Sequence, residues 1–317
     1  MTVQIVQTAL EVGLIYSLIA LSLFLSFSIL NICDLSTDGC YTLGCAVGAV
    51  CTMAGHPILA IPAAMGAGAC SGFMTALLQT RFGIQSILAG IIVNTALYTV
   101  NLAVMGFSSN VSIFGTDTIF TLFKGLGDSE MWKSWYKLIL LACIVFAAAL
   151  FVRWFLSTRL GLSIRATGDS PAMVRASSIN PAFTVTVGLC ISNSFTGLAG
   201  CLIAQYNKQS DINLGTGMVT IALASLVIGE TFFGRGSMGW RIFGVIFGSC
   251  LYRFIISLAL RLNVPTEAFK LVSAVIVAIA LIAPKAKNMI MFSRHRRRAL
   301  KSRAGAALKE KGERKNA

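Results

Sequence analysis

Charge is scarce in this sequence. Only 12% of its 317 residues are Asp, Glu, Lys or Arg, about half the share that a soluble domain carries. Histidine is nearly missing, with His56 and His295 as the whole supply, and the nine cysteines contain no C-x-x-C pair. A structural zinc or redox site therefore has little to build on, and no metal or cofactor is expected on this chain. No G-x-x-x-x-G-K-[ST] run exists, nor even a Gly-Lys dipeptide. That excludes a Walker-type phosphate loop, so energy for any transport must come from a partner or an ion gradient. Strict alternation of polar and apolar residues is also missing, which argues against an outer-membrane barrel. No histidine cluster, metal spacing or nucleophile motif marks an enzyme.

Apolar length is what the sequence has in quantity. Hydrophobic residues make up 56% and mean hydropathy is +0.78. A bilayer core about 30 Å thick takes roughly 20 apolar residues per helix. The pattern predicts an all-α integral membrane protein with about nine spans (eight to ten). They are Val12–Leu30, Asp38–Met53, Pro57–Gln79, Ser86–Met105, Trp135–Leu156, Ala182–Ala204, Met218–Phe233, Ile242–Leu260 and Phe269–Ala283. The second and seventh are short enough to be re-entrant instead of spanning. Residues 1–284 read as one transmembrane domain and residues 285–317 as a basic, disordered cytoplasmic tail. Cys45, Cys51, Cys70, Cys143, Cys190, Cys201 and Cys250 fall inside apolar runs, where a thiol behaves as a small hydrophobe. The N-terminus has no basic region ahead of its first apolar run, which reads as a span and not as a cleavable signal.

Basic loops remain cytoplasmic, and that sets the orientation. Arg153, Arg159, Arg165 and Arg175 face a single acid, Asp169, between residues 153 and 180. The tail from Lys285 carries twelve Lys/Arg against two acids, +10 of the chain's net +14. Four spans separate these regions, so both can lie inside, together with Arg81, Arg235 and Arg241. The N-terminus then lies outside and the C-terminus in the cytoplasm. A polybasic tail can bind nucleic acid, but after a final span it reads as a contact for anionic headgroups. No nucleic-acid partner is expected.

Two spans open with polar, Gly-containing interruptions, Asn31–Gly39 and Asn207–Gly215. Each follows the first span of a four-span block, and the topology puts the blocks in inverted orientation with the fifth span as connector. Broken segments in inverted repeats mark transporters and lie near the solute path. Asp34, Asp38, Gly39, Asn207 and Asp211 are candidate pathway residues on that ground. Asn94 and Asn101 share one helix face, and Asn193 and Gly200 another. Polar groups so placed either glue helices together or line a path, so Asn94 and Asn193 join the candidates. Arg253, near the middle of the eighth span, is either a functional intramembrane charge or an arginine whose head reaches water. Glu230 is expected to pair with Arg235. The outward loop Gly106–Ser134, with Lys124, Asp128, Glu130, Trp132 and Lys133, is long enough to touch a docking protein.

The stretch Arg159–Asn180 predicts a short helix in a cytoplasmic loop. Asp169 or Ser170 can cap it, Pro171 suits its first turn, Ala172 to Ala176 continue it and Asn180-Pro181 end it. So short a helix is marginal alone and needs a surface to pack on. Its small Ala172 and Ala176 suit a close-fitting protein groove.

This stretch resembles the coupling loop of permeases in the branched-chain amino acid and ribose class of ABC importers. Their signature reads roughly G-x-x-x-R-A-x-G-x-x-x-x-A-A-x-x-x-G-I-N. Gly161, Arg165, Ala166, Gly168, Ala176 and Ile179-Asn180 match it, while Ser178 replaces a glycine and Val174 and Arg175 stand where small residues are frequent. Asp34–Gly48 resembles the family's D-L-T-x-x-G-S-x-x-L-G-A segment, with Gly39, Leu43 and Gly44 in place. The resemblance covers about residues 10 to 285, and its nearest subgroup is linked to aromatic amino acid uptake. It implies a non-catalytic subunit of the bacterial cell (inner) membrane, working as a homodimer. It also implies an ABC ATPase subunit, carrying ATP and Mg, on a coupling loop 157–181 that includes Arg159, Asp169, Pro171 and Ala172. A substrate-binding protein would dock on the outer side. An amino acid, and among amino acids an aromatic one, is the expected solute. Ribose, nucleosides and other small polar solutes stay open, and an ion-coupled carrier is the alternative function.

Overall fold

A computed structural model describes residues 3–125, 130–234 and 236–261, together with 275 and 278. The ninth predicted span, Phe269–Ala283, and the basic tail lie outside the described residues, as does Arg235.

Helix α1 (Val3–Leu23) runs on as a π-helical stretch, Phe24–Ile29. Then follow α2 (Thr37–Met53), α3 (Ala60–Thr80) and α4 (Ser86–Val104), a short strand β1 (Asn110–Ser112) and α5 (Ile119–Lys124). The long α6 (Glu130–Ser157) leads to α7 (Arg159–Asp169) and α8 (Pro171–Ala176). The chain continues through α9 (Pro181–Asn207), β2 (Gln209–Asp211), α10 (Met218–Phe233) and α11 (Met238–Arg261).

Six helices among the described residues are long and apolar enough to cross a membrane: α1 with its π stretch, α3, α4, α6, α9 and α11. Two of them are central. The apolar window of α1 is 83% buried and that of α9 78%, against 28–39% for the other four. Helices α2 and α10 have 17 and 16 residues, about 25 Å of rise each, short of a full bilayer core.

The helix starts depart from the sequence expectation in an instructive way. Helix α1 begins at Val3 instead of Val12 because Glu11 does not interrupt it. Its carboxylate is 4% exposed and accepts from Gln7 Nε2 at 3.0 Å and the Tyr206 hydroxyl at 2.8 Å. The stretch expected as one outward loop, 106–134, is partly built: it supplies β1, α5 and the start of α6, while Asp128 falls outside the described residues. β1 pairs antiparallel with β2, Asn110 opposite Asp211, so a small two-stranded ladder between distant segments accompanies the helices.

Close crossings are made by small residues, as helix pairs in lipid require. A Cβ on Gly44 would strike the Gly197 carbonyl of α9, and one on Gly48 would lie 2.8 Å from Cys201 Cα. Gly68 and Gly72 bring α3 onto α9 in the same manner, against Asn193 and Leu189. Gly229 and Gly248 do so between α10 and α11, and Gly13 brings α1 onto α11. The packing therefore has an exchanged form: α9 lies on α2 and α3, and α1 lies on α10 and α11.

Several arginines gather at one end of the bundle. Arg241 Nη2 reaches Ser28 Oγ at 2.7 Å and Glu230 Oε1 at 3.0 Å. The expected partner of Glu230 was Arg235, yet among the described residues Arg241 holds it, one turn into α11. The Arg153 guanidinium lies against Gly239, and α7 packs under Ile29 and Leu30. The β1–β2 strand pair, which follows the far end of α9, occupies the opposite end.

Candidate functional site

The segment between α6 and α9 folds as two helices, not one. Thr158 caps α7, its Oγ1 accepting from Gly161 N at 3.2 Å, and Ser170 caps α8, accepting from Met173 N at 3.4 Å with Pro171 at the first position. Gly161, Ile164 and Thr167 form the buried stripe of α7. Gly161 is required there because a side chain would meet the Phe155 carbonyl, and Gly168 because one would meet the Ile29 carbonyl. Thr167 and Thr184 share a hydrogen bond of 2.8 Å, tying α7 to α9. Ala166 is half-buried, whereas Arg159, Arg165 and Asp169 are exposed. On α8 only Val174 is buried, at 2% exposure. Pro171, Ala172, Met173, Arg175 and Ala176 face outward. Helix α8 is thus anchored by one valine, and Ala172 and Ala176 are exposed among the described residues.

The second feature is a cavity of about 350 Å³ where the starts of α2 and α10 meet. Asp38 joins them. Its Oδ1 accepts from Val219 N at 2.8 Å and its Oδ2 from Gly217 N at 3.1 Å. The aspartate of one short helix therefore caps the other, where the helix dipole favours negative charge. Gly39, Thr42, Asn94, Tyr98 and Asn101 complete one wall, and Asn213, Gly215 and Thr216 the other. Among the described residues no lysine or arginine lines it. Asn101 Nδ2 donates to the Gly39 carbonyl at 3.1 Å, leaving the buried Asn101 Oδ1 without a partner. Gly39 is needed for space, since a Cβ there would lie 2.6 Å from Asn94 Oδ1.

Asp34 lies beneath this cavity, 1% exposed. Its carboxylate accepts from Ser36 N at 2.8 Å, Ser36 Oγ at 2.6 Å and Asn193 Nδ2 at 2.9 Å. Among the described residues no cation lies within hydrogen-bond reach of it, and these three donors offset the cost of burying the charge. Among the described residues no group of His, Cys, Asp or Glu could hold a metal ion.

The family model for the branched-chain amino acid transport system / permease component matches residues 5–281. The chain belongs to this permease family. A tyrosine transport system permease protein of Clostridioides difficile is 33% identical over 272 residues, 86% of this chain and 88% of that protein. An uncharacterized Rickettsia prowazekii protein is 30% identical, covering 90% and 99% of the two chains. The ribose import permease protein RbsC of Escherichia coli is 27% identical, covering 80% and 78%. No solved structure matches. The chain is a transport subunit, not an enzyme, and a multi-pass protein of the bacterial cell membrane.

Placed on the permease, the sequence-derived candidates separate into groups. Asp38, Gly39 and Asn94 line the cavity, and Asp34 and Asn193 bond to each other just below it. Asn207 ends α9 and is exposed, and Asp211 ends strand β2, where it accepts from Asn213 N at 2.7 Å. Neither is in the cavity wall. Arg253 stacks over the Tyr16 ring at 4.7 Å on the α1–α11 side, also away from it. Thr42, Thr95, Tyr98, Asn213 and Thr216 were not singled out by sequence. Tyr98 could have been, because Asn94, Tyr98 and Asn101 follow the i, i+4, i+7 spacing of a single helix face.

Proposed function

We propose that this permease forms the translocation pathway of an ATP-driven importer for a small polar solute, with α7–α8 as its docking surface for a separate ATPase subunit. ATP and Mg would then sit on that partner, and a substrate-binding protein would deliver the solute from the other side. The observation that carries the reading is α8 itself. A capped helix held by a single buried valine, with Ala172 and Ala176 turned outward, is costly to maintain unless something packs on it. Family membership favours this reading over an ion-coupled carrier, which has no need of such a surface.

The gathering of Arg81, Arg153, Arg159, Arg165, Arg175 and Arg241 supports a cytoplasmic position for that end under the positive-inside rule, and with it an N-terminus outside. The exchanged packing of α1 and α9 supports two halves of inverted topology, in which α2 and α10 are matching half-helices whose starts meet at the solute path. The path runs through the Asp38 cavity. A wall with one carboxylate, several amide and hydroxyl groups, no cation and the exposed ring of Tyr98 suits the ammonium and aromatic ring of an amino acid. The tyrosine-transport relative points the same way. The pathway is completed by a second copy of the chain.

The test is a mild-detergent pull-down from native membranes, with the co-purifying proteins identified by mass spectrometry. A stoichiometric Walker-motif ATPase is expected. In the double variant Ala172→Glu, Ala176→Glu it should be lost and uptake should fall at least tenfold, while the permease stays inserted. Uptake unchanged in that variant, or uptake that collapses with the proton or sodium gradient and no bound ATPase, overturns the proposal.

A further inference from the structure

We propose that the groove between α1, α6 and α11 holds an acyl chain of an anionic phospholipid, with Arg153 binding its phosphate. The groove has a volume of about 370 Å³ and an almost wholly apolar wall that includes Leu14, Phe146, Ala149, Phe243 and Ile246. One charged side chain enters it, Arg153, at the end where Gly239 and Ser237 begin α11. Among the described residues the Arg153 guanidinium has no acid partner, since the ion pair at this end is taken by Glu230 and Arg241. An arginine in that position is a fork of donors awaiting an acceptor, and phosphate is the acceptor its geometry fits.

Depth in the bilayer selects the source of that phosphate. Trp154 and Trp240, 65% and 58% exposed, flank the arginine, and exposed tryptophans mark the headgroup level. From Arg153 back to Ala142 the wall of α6 rises about 17 Å, close to the depth of one leaflet's hydrocarbon layer. A ligand with an anionic head at Arg153 and an apolar tail along Ala149 and Phe146 matches both ends, and basic pockets between transmembrane helices bind anionic headgroups in this way. A small side chain at 239 is part of the site, since a Cβ there would lie 2.9 Å from Arg153 Nη1. The site is distinct from the Asp38 cavity and from α8.

The full-length protein in lipid nanodiscs, doped with phosphatidylglycerol or phosphatidylcholine bearing a photoreactive acyl chain, tests this by mass-spectrometric mapping of the adducts. Adducts should concentrate on residues 142–150 and 242–246, with about a fivefold excess of phosphatidylglycerol, the factor one basic residue supplies near a membrane surface. Arg153→Gln should remove the excess and keep the phosphatidylcholine adducts, and Arg153→Lys should retain most of it. Ala149→Phe should reduce adducts of both lipids in the groove with the arginine intact, so the site can be judged even if Arg153→Gln fails to insert. Adducts spread evenly over the lipid-facing surface would overturn the proposal. So would a phosphatidylglycerol excess that survives Arg153→Gln, which would make the basic tail its source. Cross-links from these residues to a second copy of the chain would assign the groove to a subunit interface instead.

Discussion

Asp38→Ala should release the start of α10 from α2. The carboxylate accepts two backbone N–H groups, Val219 at 2.8 Å and Gly217 at 3.1 Å. A hydrogen bond to a charged group nets about 1.5–3 kcal/mol. Asp38 is only half-buried, so water can partly replace it and the lower value applies. Two such bonds give about 3 kcal/mol, roughly a hundredfold in a local opening equilibrium. Asp38→Asn keeps one acceptor oxygen and loses the charge, so roughly a tenfold change is expected from it. Amide hydrogen exchange of the protein in nanodiscs reads this locally. Protection at Gly217 and Val219 should fall by those factors, while amides in the middle of α11 keep theirs, and uptake should fall in the same order. Unchanged protection in Asp38→Ala would refute the cap, and equal loss throughout α11 would show general unfolding instead of release of one helix end.

Arg241→Ala strands the carboxylate of Glu230 in a pair whose side chains are 16% and 22% exposed. A loss of about 2 kcal/mol is expected, about 5 °C in Tm, and the double variant Arg241→Gln, Glu230→Gln should lose less than Arg241→Ala in the same melt. Asn193→Leu removes one of three donors from the buried Asp34 and should cost about 2 kcal/mol, read as a lowered Tm. The same change at Asn207, which is exposed, should be nearly neutral. Gly168→Val pushes a side chain into the Ile29 carbonyl and should abolish uptake, while α8 still retains the ATPase in a pull-down.

Much of the fold was legible because long apolar runs and their breaks are direct statements about helices in lipid. Met218–Phe233 was read with both of its ends correct, and Asp38–Met53 and Ser86–Met105 each lie within a residue of α2 and α4. What sequence misjudged were places where tertiary contacts satisfy a polar residue. The first span was opened at Val12, just past Glu11, yet Gln7 and Tyr206 hold that carboxylate within α1. Arg159–Asp169 was not seen as a separate helix because its apolar stripe, Gly161, Ile164 and Thr167, contains a glycine and a threonine that carry little hydrophobic signal. The strand pair Asn110–Ser112 and Gln209–Asp211 joins residues about a hundred positions apart, and three-residue strands leave no period to detect. Within the cavity, Asp38 and Gly39 could be named in advance because they lie in a broken polar segment, and Asn94 because it shares a helix face with Asn101. Thr216 and Asn213 could not be ranked above Asn207 and Asp211, since only folding decides which residues between α9 and α10 face the cavity.

The two candidate sites are joined by one short stretch of backbone. Gly168, one residue before the end of α7, is pressed against the carbonyls of Ile29 and Leu30. There the π-helical turn of α1 closes, with Leu30 N bonding back to the Leu25 carbonyl at 3.0 Å. Asn31 follows in a left-handed conformation at φ 56°, and within three residues the chain reaches Asp34, then Ser36, then Asp38 and the start of α10. A π turn holds its extra residue with poorer hydrogen bonding than an α-helix and is a natural place for a helix to yield. Displacement of α7 by a partner on α8 would therefore bear first on the turn that leads into the broken segment, not on the rigid glycine-packed crossings of α2, α3 and α9. Gly168→Val acts at the contact between α7 and that turn, and Ala172→Glu with Ala176→Glu acts at the surface of α8. If motion passes along this backbone, the first separates ATPase binding from uptake and the second abolishes both, a pattern that a purely structural role for α7 does not produce.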